Sequence, residues 1–558
     1  MDVQVHQTPI FASMNRWWSL LLFYVMIIAC SEGSDQIDSR TVFRYNEHAN
    51  ITSMDPAFAK DQRNIWACNL MYNGLVKLDN NLQVVPDIAD SLGVSSDGLT
   101  YSFRLKDSVY FHDNFAFLPD RQAGAKANKT STSLHKVTAA DFKYALERLT
   151  DPSVASPGAW VMSNVKQIKA ASSKELVIEL KQPFPAFLGL LTMKYCSVIP
   201  EASRLVDDYD RRSNPIGTGP FYMKRWEENV KLVLRRNDHY FERDEKGAPL
   251  PYLEAVAITF KNDKQSEFLE FAQGNLDFIN ALDPSYKDEL LTTQGDLKPA
   301  YASSVNMIKA PFLNTEYLGL QLDSDTPELQ SLKLRRAINL GFDRVQMIKY
   351  LRNNIGTPAT KGFIPAGLPA GGQVEGFEYD PLEAQKLVNE YRQVTGDENP
   401  QVVISTNANY LDLCEYIQKE LEKIGIQVNV EVMPPSTLRQ ARSAGQLDIY
   451  RSSWIADYPD AENYLSLFYS DNFAPNGPNY THFSNETYDR LYEQALANPD
   501  SKARERLYVQ MDSLIIDQAA IVPLYYDQSV RFISKNVHGL ETNGINILDL
   551  TRVYKTAH

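Results

Sequence analysis

Apolar residues recur first at helical and then at strand spacing along the second half of the chain. The run Asp380-Pro381-Leu382-Glu383 combines a capping side chain, a proline at the first helical position and a glutamate three residues after the cap. This combination predicts a helix that continues to about Tyr391. A second helix is predicted over 411–424, before Gly425, by apolar residues that share one helical face: Cys414, Ile417, Leu421 and Ile424.

Strands are predicted over 101–105 and 426–432, where apolar and polar residues alternate, and also over 402–405 and 447–454. Between 400 and 454 strands and helices therefore follow one another, which predicts an α/β lobe with a mainly parallel sheet. Two more helices, over 486–497 and 501–516, precede a short apolar strand at 521–525. The fold class that these patterns indicate is α/β.

The first thirty residues have the pattern of a secretory signal. Arg16 precedes an apolar run that ends in Ala29, and the chain becomes polar directly after Cys30. The segment resembles a bacterial lipoprotein signal, which implies a signal peptide over 1–29 and a lipid on Cys30. The apolar run is short for a membrane span, and an N-terminal anchor helix is the alternative. Both interpretations place the rest of the chain outside the cytoplasm.

Composition and charge narrow the class of protein further. The chain has 558 residues, of which 44% are hydrophobic and 23% are charged, and its net charge is −14. A chain of this length exceeds one compact core, and its acidity argues against a nucleic-acid partner. An inserted loop is predicted over 115–138, because its part 124–133 is small, polar and non-periodic. If Cys30 carries a lipid, three cysteines are left: Cys68, Cys196 and Cys414. Because this number is odd, at most one disulfide can form.

Sequence motifs of catalysis and cofactor binding are missing. The patterns H-E-x-x-H, G-x-S-x-G and G-x-x-x-x-G-K-[ST] do not occur. The eight histidines are scattered, without a pair at helical metal-ligand spacing. The sequence therefore predicts a protein that is not an enzyme and that has no cofactor and no metal site.

Short strings of residues stand in the order in which they occur in one protein family. They are Ser53-Met54-Asp55-Pro56-Ala57, Met71-Tyr72-Asn73-Gly74-Leu75-Val76, Asp97-Gly98-Leu99-Thr100-Tyr101, Gly217-Thr218-Gly219-Pro220-Phe221, Leu334-Arg335-Arg336-Ala337-Ile338, Trp454-Ile455-Ala456-Asp457-Tyr458 and Ile521-Val522-Pro523-Leu524-Tyr525. Through them the chain resembles the extracytoplasmic solute-binding proteins of the oligopeptide and dipeptide type, family 5, which feed ATP-binding-cassette (ABC) importers.

The resemblance implies a two-lobed α/β fold that closes on its ligand like a clamp, with an extra domain inserted in lobe one. The implied domain order begins with the signal peptide, continues through lobe one, the insertion, lobe one again and lobe two, and returns to lobe one. The boundaries predicted for these six segments are 1–29, 30–75, 76–198, 199–310, 311–518 and 519–558.

The resemblance also implies binding residues. An aspartate after W-x-[AG] pairs with the ligand's α-ammonium in this family, and Asp457 occupies that position, with Trp454 as an apolar wall. Arg442, Arg451 and Arg352 are the implied receptors for the peptide carboxylate, since a guanidinium binds a carboxylate with two hydrogen bonds. The alternatives are structural: a core role for Trp454, a loop cap at Asp457 and surface positions for the arginines.

The sequence thus predicts a lipid-anchored extracytoplasmic protein that captures peptides and delivers them to the permease subunits of an ABC importer. We expect a monomer at the periplasmic or extracellular face of the membrane, and no nucleic-acid partner. One alternative is a binder of another solute for such an importer, a metal chelate, haem or an oligosaccharide. The other alternative is a secreted envelope hydrolase.

Overall fold

The computed structural model describes residues 41–113, 134–206, 208–280 and 286–556. The predicted signal peptide 1–29, the lipid site Cys30 and most of the loop predicted at 115–138 lie outside these residues. Within the described chain, no helix is long and apolar enough to cross a membrane.

The described chain contains both helices and strands along its whole length. The α-helices are Gln62–Met71, Ala139–Glu147, Phe187–Leu190, Lys264–Ala272, Lys287–Leu290, Pro327–Gln330, Leu332–Leu340, Arg344–Leu351, Pro381–Thr395, Leu411–Lys423, Pro435–Ser443, Glu462–Leu465, Glu486–Ala497 and Ser501–Asp517. The strands are β1 (Val42–Glu47), β2 (Val76–Leu78), β3 (Val84–Pro86), β4 (Ala89–Val94), β5 (Thr100–Leu105), β6 (Val165–Ala170), β7 (Glu175–Leu180), β8 (Phe221–Glu227), β9 (Lys231–Arg236), β10 (Ala255–Phe260), β11 (Phe278–Asn280), β12 (Val305–Leu320), β13 (Thr357–Pro358), β14 (Gln401–Thr406), β15 (Gln427–Val432), β16 (Ile449–Ile455), β17 (Ile521–Ser534), β18 (Val537–His538) and β19 (Tyr554–Lys555).

One large sheet connects most of the described chain, in the strand order β15-β14-β16-β12-β17-β11-β1-β10-β9-β8 with β13 beside β17. We call the part around β1 and β8–β10 lobe one and the part around β14–β16 lobe two. A separate sheet, in the order β4-β5-β7-β6, lies within the range predicted as the inserted domain. The domain boundaries themselves stay predictions.

The α/β pattern predicted over 400–454 is confirmed. β14 pairs in parallel with both β15 and β16, and the amphipathic helix Leu411–Lys423 connects β14 to β15. Cys414 lies buried in the core that this helix covers. Parallel neighbours require such a crossover helix, which buries the apolar face that the sequence shows.

Local capping signals place the helix after residue 380 correctly. The Asp380 side chain accepts a hydrogen bond from the backbone N–H of Glu383, and the helix starts at Pro381. It ends one turn later than predicted, at Thr395, where Gly396 takes a left-handed conformation with φ 75°. Glycine adopts this conformation without steric cost, which explains where the helix stops.

Two long strands join the lobes. β12 and β17 pair antiparallel along nearly their whole length, with register shifts between Pro311 and Thr315 and between Glu316 and Tyr317. The first part of β17 packs in the core of lobe two, and its last part packs in cores on the side of lobe one. The strand predicted at 521–525 was therefore too short. Its continuation through 526–529 is polar, and it becomes a strand by pairing with β12 and, at Tyr526, with β13.

Close backbone packing explains one glycine-rich string. Gly217 and Gly219 lie against the end of the helix Gln62–Met71, and a Cβ atom on Gly217 would lie 1.9 Å from the carbonyl oxygen of Met71. Only glycine allows this approach. The contact holds Tyr72 in place at the wall of the cavity described next.

Candidate ligand-binding cavity between the lobes

A cavity of about 630 Å³ lies where the two lobes meet. Its walls come from the start of the helix Gln62–Met71, the turn around Lys194, the end of β16, the middle of β17 and the loop 543–551. Such a volume is typical of small-molecule sites, which preferentially form between domains. The polar continuation of β17 at 527–529 faces this cavity, which accounts for its polar sequence.

Asp457 lies on the cavity wall, directly after β16. Its backbone N–H donates to Asn463 Oδ1 at 3.1 Å, so the loop position is fixed. Its carboxylate forms no ion pair with any described residue. The side chain is open to cavity water but surrounded by protein, and this burial raises the pKa of Asp457 above 3.8, which a hydrogen bond with Asn463 partly opposes.

Trp454 does not line the cavity. Its indole N–H donates to Asn463 Oδ1 at 2.9 Å, and its ring packs against the core formed by helices 486–497 and 501–517. Its carbonyl oxygen accepts from Tyr464 Oη at 2.7 Å. The geometry therefore gives Trp454 a structural role: with Asn463 it holds the loop that carries Asp457.

Two of the three predicted arginines form ion pairs with carboxylates of the chain itself. Arg352 Nη2 lies 2.8 Å from Asp527 Oδ1, and this arginine lines the cavity. Arg451 pairs with Glu316 on the neighbouring strand β12, and its guanidinium lies 3.3 Å from the ring centre of Tyr410. Both positive charges are thus compensated before a ligand arrives.

Arg442 lies outside the cavity lining. Its Nη1 donates to Ser452 Oγ at 2.7 Å, and its guanidinium stacks 4.1 Å from the ring centre of Tyr480. Of the predicted site residues, the structure thus brings Asp457 and Arg352 to the cavity and leaves Trp454, Arg442 and Arg451 behind its walls.

Sequence reasoning missed several cavity residues. Asp527, Tyr410 and Lys194 line the cavity but belong to no motif that we singled out. Asp527 had one detectable signal, since it begins the polar interruption that follows an apolar strand. Within the described residues, no group of three or more His, Cys, Asp and Glu side chains is arranged to hold a metal ion.

A family model matches residues 83–476, and its description is "Bacterial extracellular solute-binding proteins, family 5 Middle". The chain belongs to this family. Family 5 members are extracytoplasmic solute-binding proteins, which agrees with the two-lobed α/β fold and the cavity between the lobes.

Relatives of this family 5 protein match it over most of both chains. A protein of Pseudomonas aeruginosa named "Probable di/tripeptide-binding protein 5" is 25% identical over 515 residues, 87% of this chain and 90% of the relative. A protein of Escherichia coli named "Probable deoxycholate-binding periplasmic protein" is 26% identical over 538 residues, 89% of this chain and 90% of that protein.

The fold has close counterparts among solved structures. The ABC transporter-associated periplasmic binding protein DppA from Helicobacter pylori, in complex with the peptide STSA, is similar with a TM-score of 0.74. It is 23% identical, and the match covers 92% of this chain and 98% of that protein. This similarity establishes the two-lobed fold of the periplasmic binding proteins.

Proposed function

We propose that this protein captures peptides outside the cytoplasm and delivers them to an ABC importer, with the peptide α-ammonium bound by Asp457. The observation that carries the proposal is the carboxylate of Asp457, which faces an interlobe cavity and has no ion-pair partner in the described chain.

An ammonium group explains this arrangement physically. A desolvated ammonium needs a carboxylate at hydrogen-bonding distance, because otherwise the loss of hydration exceeds what binding returns. The raised pKa of Asp457 shows that the empty cavity disfavours the charged carboxylate. A ligand cation removes this cost, so binding and charge compensation occur together.

The relatives support a peptide ligand and name one alternative. The names of the P. aeruginosa relative and the H. pylori structure refer to di/tripeptides and to a bound peptide. The E. coli relative is named for deoxycholate, which is an anion in neutral water. An unpaired carboxylate on the cavity wall disfavours an anionic steroid, so we favour the peptide.

The lipid anchor belongs to the same proposal. A lipid on Cys30 would tether the protein at the membrane that holds the importer, since the sequence around Ala29-Cys30 resembles a lipoprotein signal. The mass of the mature protein and its partitioning into detergent test the anchor. A Cys30→Ser variant that retains both the lipidated mass and the partitioning would contradict it.

The ammonium site is tested by calorimetry with trialanine and N-acetyl-trialanine. In Asp457→Asn, binding of trialanine should weaken by roughly 2–5 kcal/mol, because the ammonium loses its partner in a partly dry site. The acetylated peptide should bind the wild type poorly for the same reason. Asp549→Asn is the matched control, since Asp549 also lines the cavity without an ion pair. If Asp457→Asn binds trialanine as tightly as the wild type, Asp457 is not the ammonium site.

A further inference from the structure

The cationic side chains of the cavity differ in whether they already have a partner. The lining contains four of them: Lys60, Lys77, Lys194 and Arg352. Arg352 pairs with Asp527 at 2.8 Å, and Lys77 pairs with Glu242. Neither therefore offers an uncompensated charge to a ligand.

Lys194 has no ion-pair partner within the described chain. No carboxylate oxygen of the described residues lies within 4.0 Å of its Nζ, and its ammonium makes no hydrogen bond within the described chain. The side chain is half-buried, and burial lowers the pKa of Lys194 below 10.5, which Asp87 and Asp549 partly oppose. A desolvated, unpaired ammonium is costly, and perturbed groups of this kind in a cavity mark binding sites more often than chance.

The two carboxylates that favour the charged form of Lys194 are hydrogen-bonded to their own loops. Asp87 accepts hydrogen bonds from Asn73 Nδ2 at 3.1 Å and from the backbone N–H of Gly74 at 3.1 Å. Asp549 accepts from the backbone N–H of Thr551 at 2.8 Å. These bonds hold both carboxylates to their own loops, so they favour the charged form of Lys194 from a distance without capping it.

The backbone around Lys194 is held firmly. The lysine begins a short 3-10 turn, Lys194–Cys196, whose last two residues are buried. Cys196 Sγ contacts the carbonyl oxygen of Leu190 at 3.6 Å, and Tyr195 packs in the core next to the sheet β4–β7. A rigid support places the ammonium at a defined point of the wall, which is what a specific site requires.

Lys194 and Asp457 lie at different places in the cavity. Asp457 follows β16 in lobe two, whereas Lys194 begins the turn Lys194–Cys196 beside the sheet β4–β7. The two side chains form no ion pair with each other. A peptide carries an ammonium and a carboxylate on one molecule, so a single ligand can meet both side chains.

We propose that Lys194 binds the carboxylate of the same ligand whose ammonium is held by Asp457, so that the cavity selects short peptides with both termini free. This inference rests on the proposed function. It assigns the carboxylate to a lysine on the lobe-one side of the cavity and not to the arginines predicted from the sequence, whose charges Asp527 and Glu316 already compensate.

The test compares each peptide acid with its C-terminal amide, because amidation removes only the ligand's negative charge. Trialanine and Ser-Thr-Ser-Ala are titrated by calorimetry into the wild type, Lys194→Met and Lys60→Met. The wild type should prefer the acid by tenfold or more, and Lys194→Met should bind acid and amide equally. Lys60→Met should keep the preference, since Lys60 lines the rim as an exposed side chain. Lys194→Gln serves as a second variant, and thermal unfolding verifies that each variant is folded.

The outcomes separate this inference from the proposed function. If the wild type binds acid and amide equally while N-acetylation still weakens binding, Lys194 is not the carboxylate site and the Asp457 site stands. If Lys194→Met keeps the preference while Arg352→Gln loses it, the carboxylate lies on the arginine and the inference is overturned. If neither peptide binds in any form, both the inference and the peptide function fall.

Discussion

Asp457 and the arginine region form two charged areas of the same interlobe site, and they differ in what surrounds the charge. Asp457 faces the cavity without an ion-pair partner in the described chain, and burial raises its pKa. Arg352 and Arg451 are paired with Asp527 and Glu316. A motif can therefore identify a charged residue at a site. Whether that charge is available to a ligand depends on the side chains that lie next to it in space.

The side chains around Arg451 and Arg352 bind one another and stabilise the sheet. Glu316 accepts from Arg451 and from Asn314 Nδ2 at 3.1 Å, and Asn314 also donates to Asp527 at 3.4 Å. Burial raises the pKa of Glu316, which the charge of Arg451 opposes. Carboxylates and guanidinium groups that compensate each other in a buried position hold strands β12, β16 and β17 in register.

Breaking the paired region should have the largest effect. Arg451→Met leaves Glu316 buried without its cation, and we expect the free energy of unfolding to fall by roughly 3–5 kcal/mol. Urea denaturation at neutral pH measures the change. The double variant Arg451→Met with Glu316→Gln is the control, because it removes the uncompensated charge and should recover most of the loss. Equal destabilisation of the single and the double variant would show that the ion pair is not what stabilises this region.

The unpaired carboxylate of Asp457 should make peptide binding depend on pH. The pKa of Asp457 in the empty protein lies above 3.8, and a bound ammonium lowers it again. Affinity is therefore full above the pKa of the empty protein and falls by up to tenfold per pH unit between that pKa and the lower pKa of the complex. Calorimetry with trialanine between pH 3.5 and 7 measures this slope. Asp457→Asn should lack it, and a slope that persists in this variant would assign the titration to another group.

Removing the unpaired charge of Asp457 should have the smallest effect on stability. It should stabilise the fold slightly, whereas Arg451→Met destabilises it. A carboxyl whose pKa is raised in the folded protein stabilises the fold below its unfolded pKa, and this contribution disappears as the pH rises through the folded pKa. At neutral pH the carboxylate of Asp457 therefore costs stability, but cavity water screens it. Asp457→Asn should raise the free energy of unfolding by about 0.5 kcal/mol or less, measured by urea denaturation without ligand. A clear loss of stability would indicate a structural carboxylate.

The local elements of lobe two follow from short-range signals. The helix Glu486–Ala497 has the predicted bounds, and Asn485 caps it by accepting from the backbone N–H groups of Thr487 and Tyr488. Capping bonds and apolar periodicity act over a few residues, so a short window of sequence contains them. The strand predicted at 521–525 shows the opposite case, because its polar continuation becomes a strand through pairing with β12, some 210 residues away along the chain by the paired register.

For the site, the sequence by itself determined that Asp457 follows a W-x-A motif and that the chain has the strings of one binding-protein family. It also determined which residues are arginines near that motif, but not their partners. Arg451 meets a carboxylate 135 residues away and Arg352 one 175 residues away. Ion pairing in a buried site depends on distance in space and on exclusion of water, and both arise only when β12, β16 and β17 come together. The tertiary structure alone therefore decided which charges the chain compensates itself and that Asp457 and Lys194 are among those that face the cavity without an ion pair within the described chain.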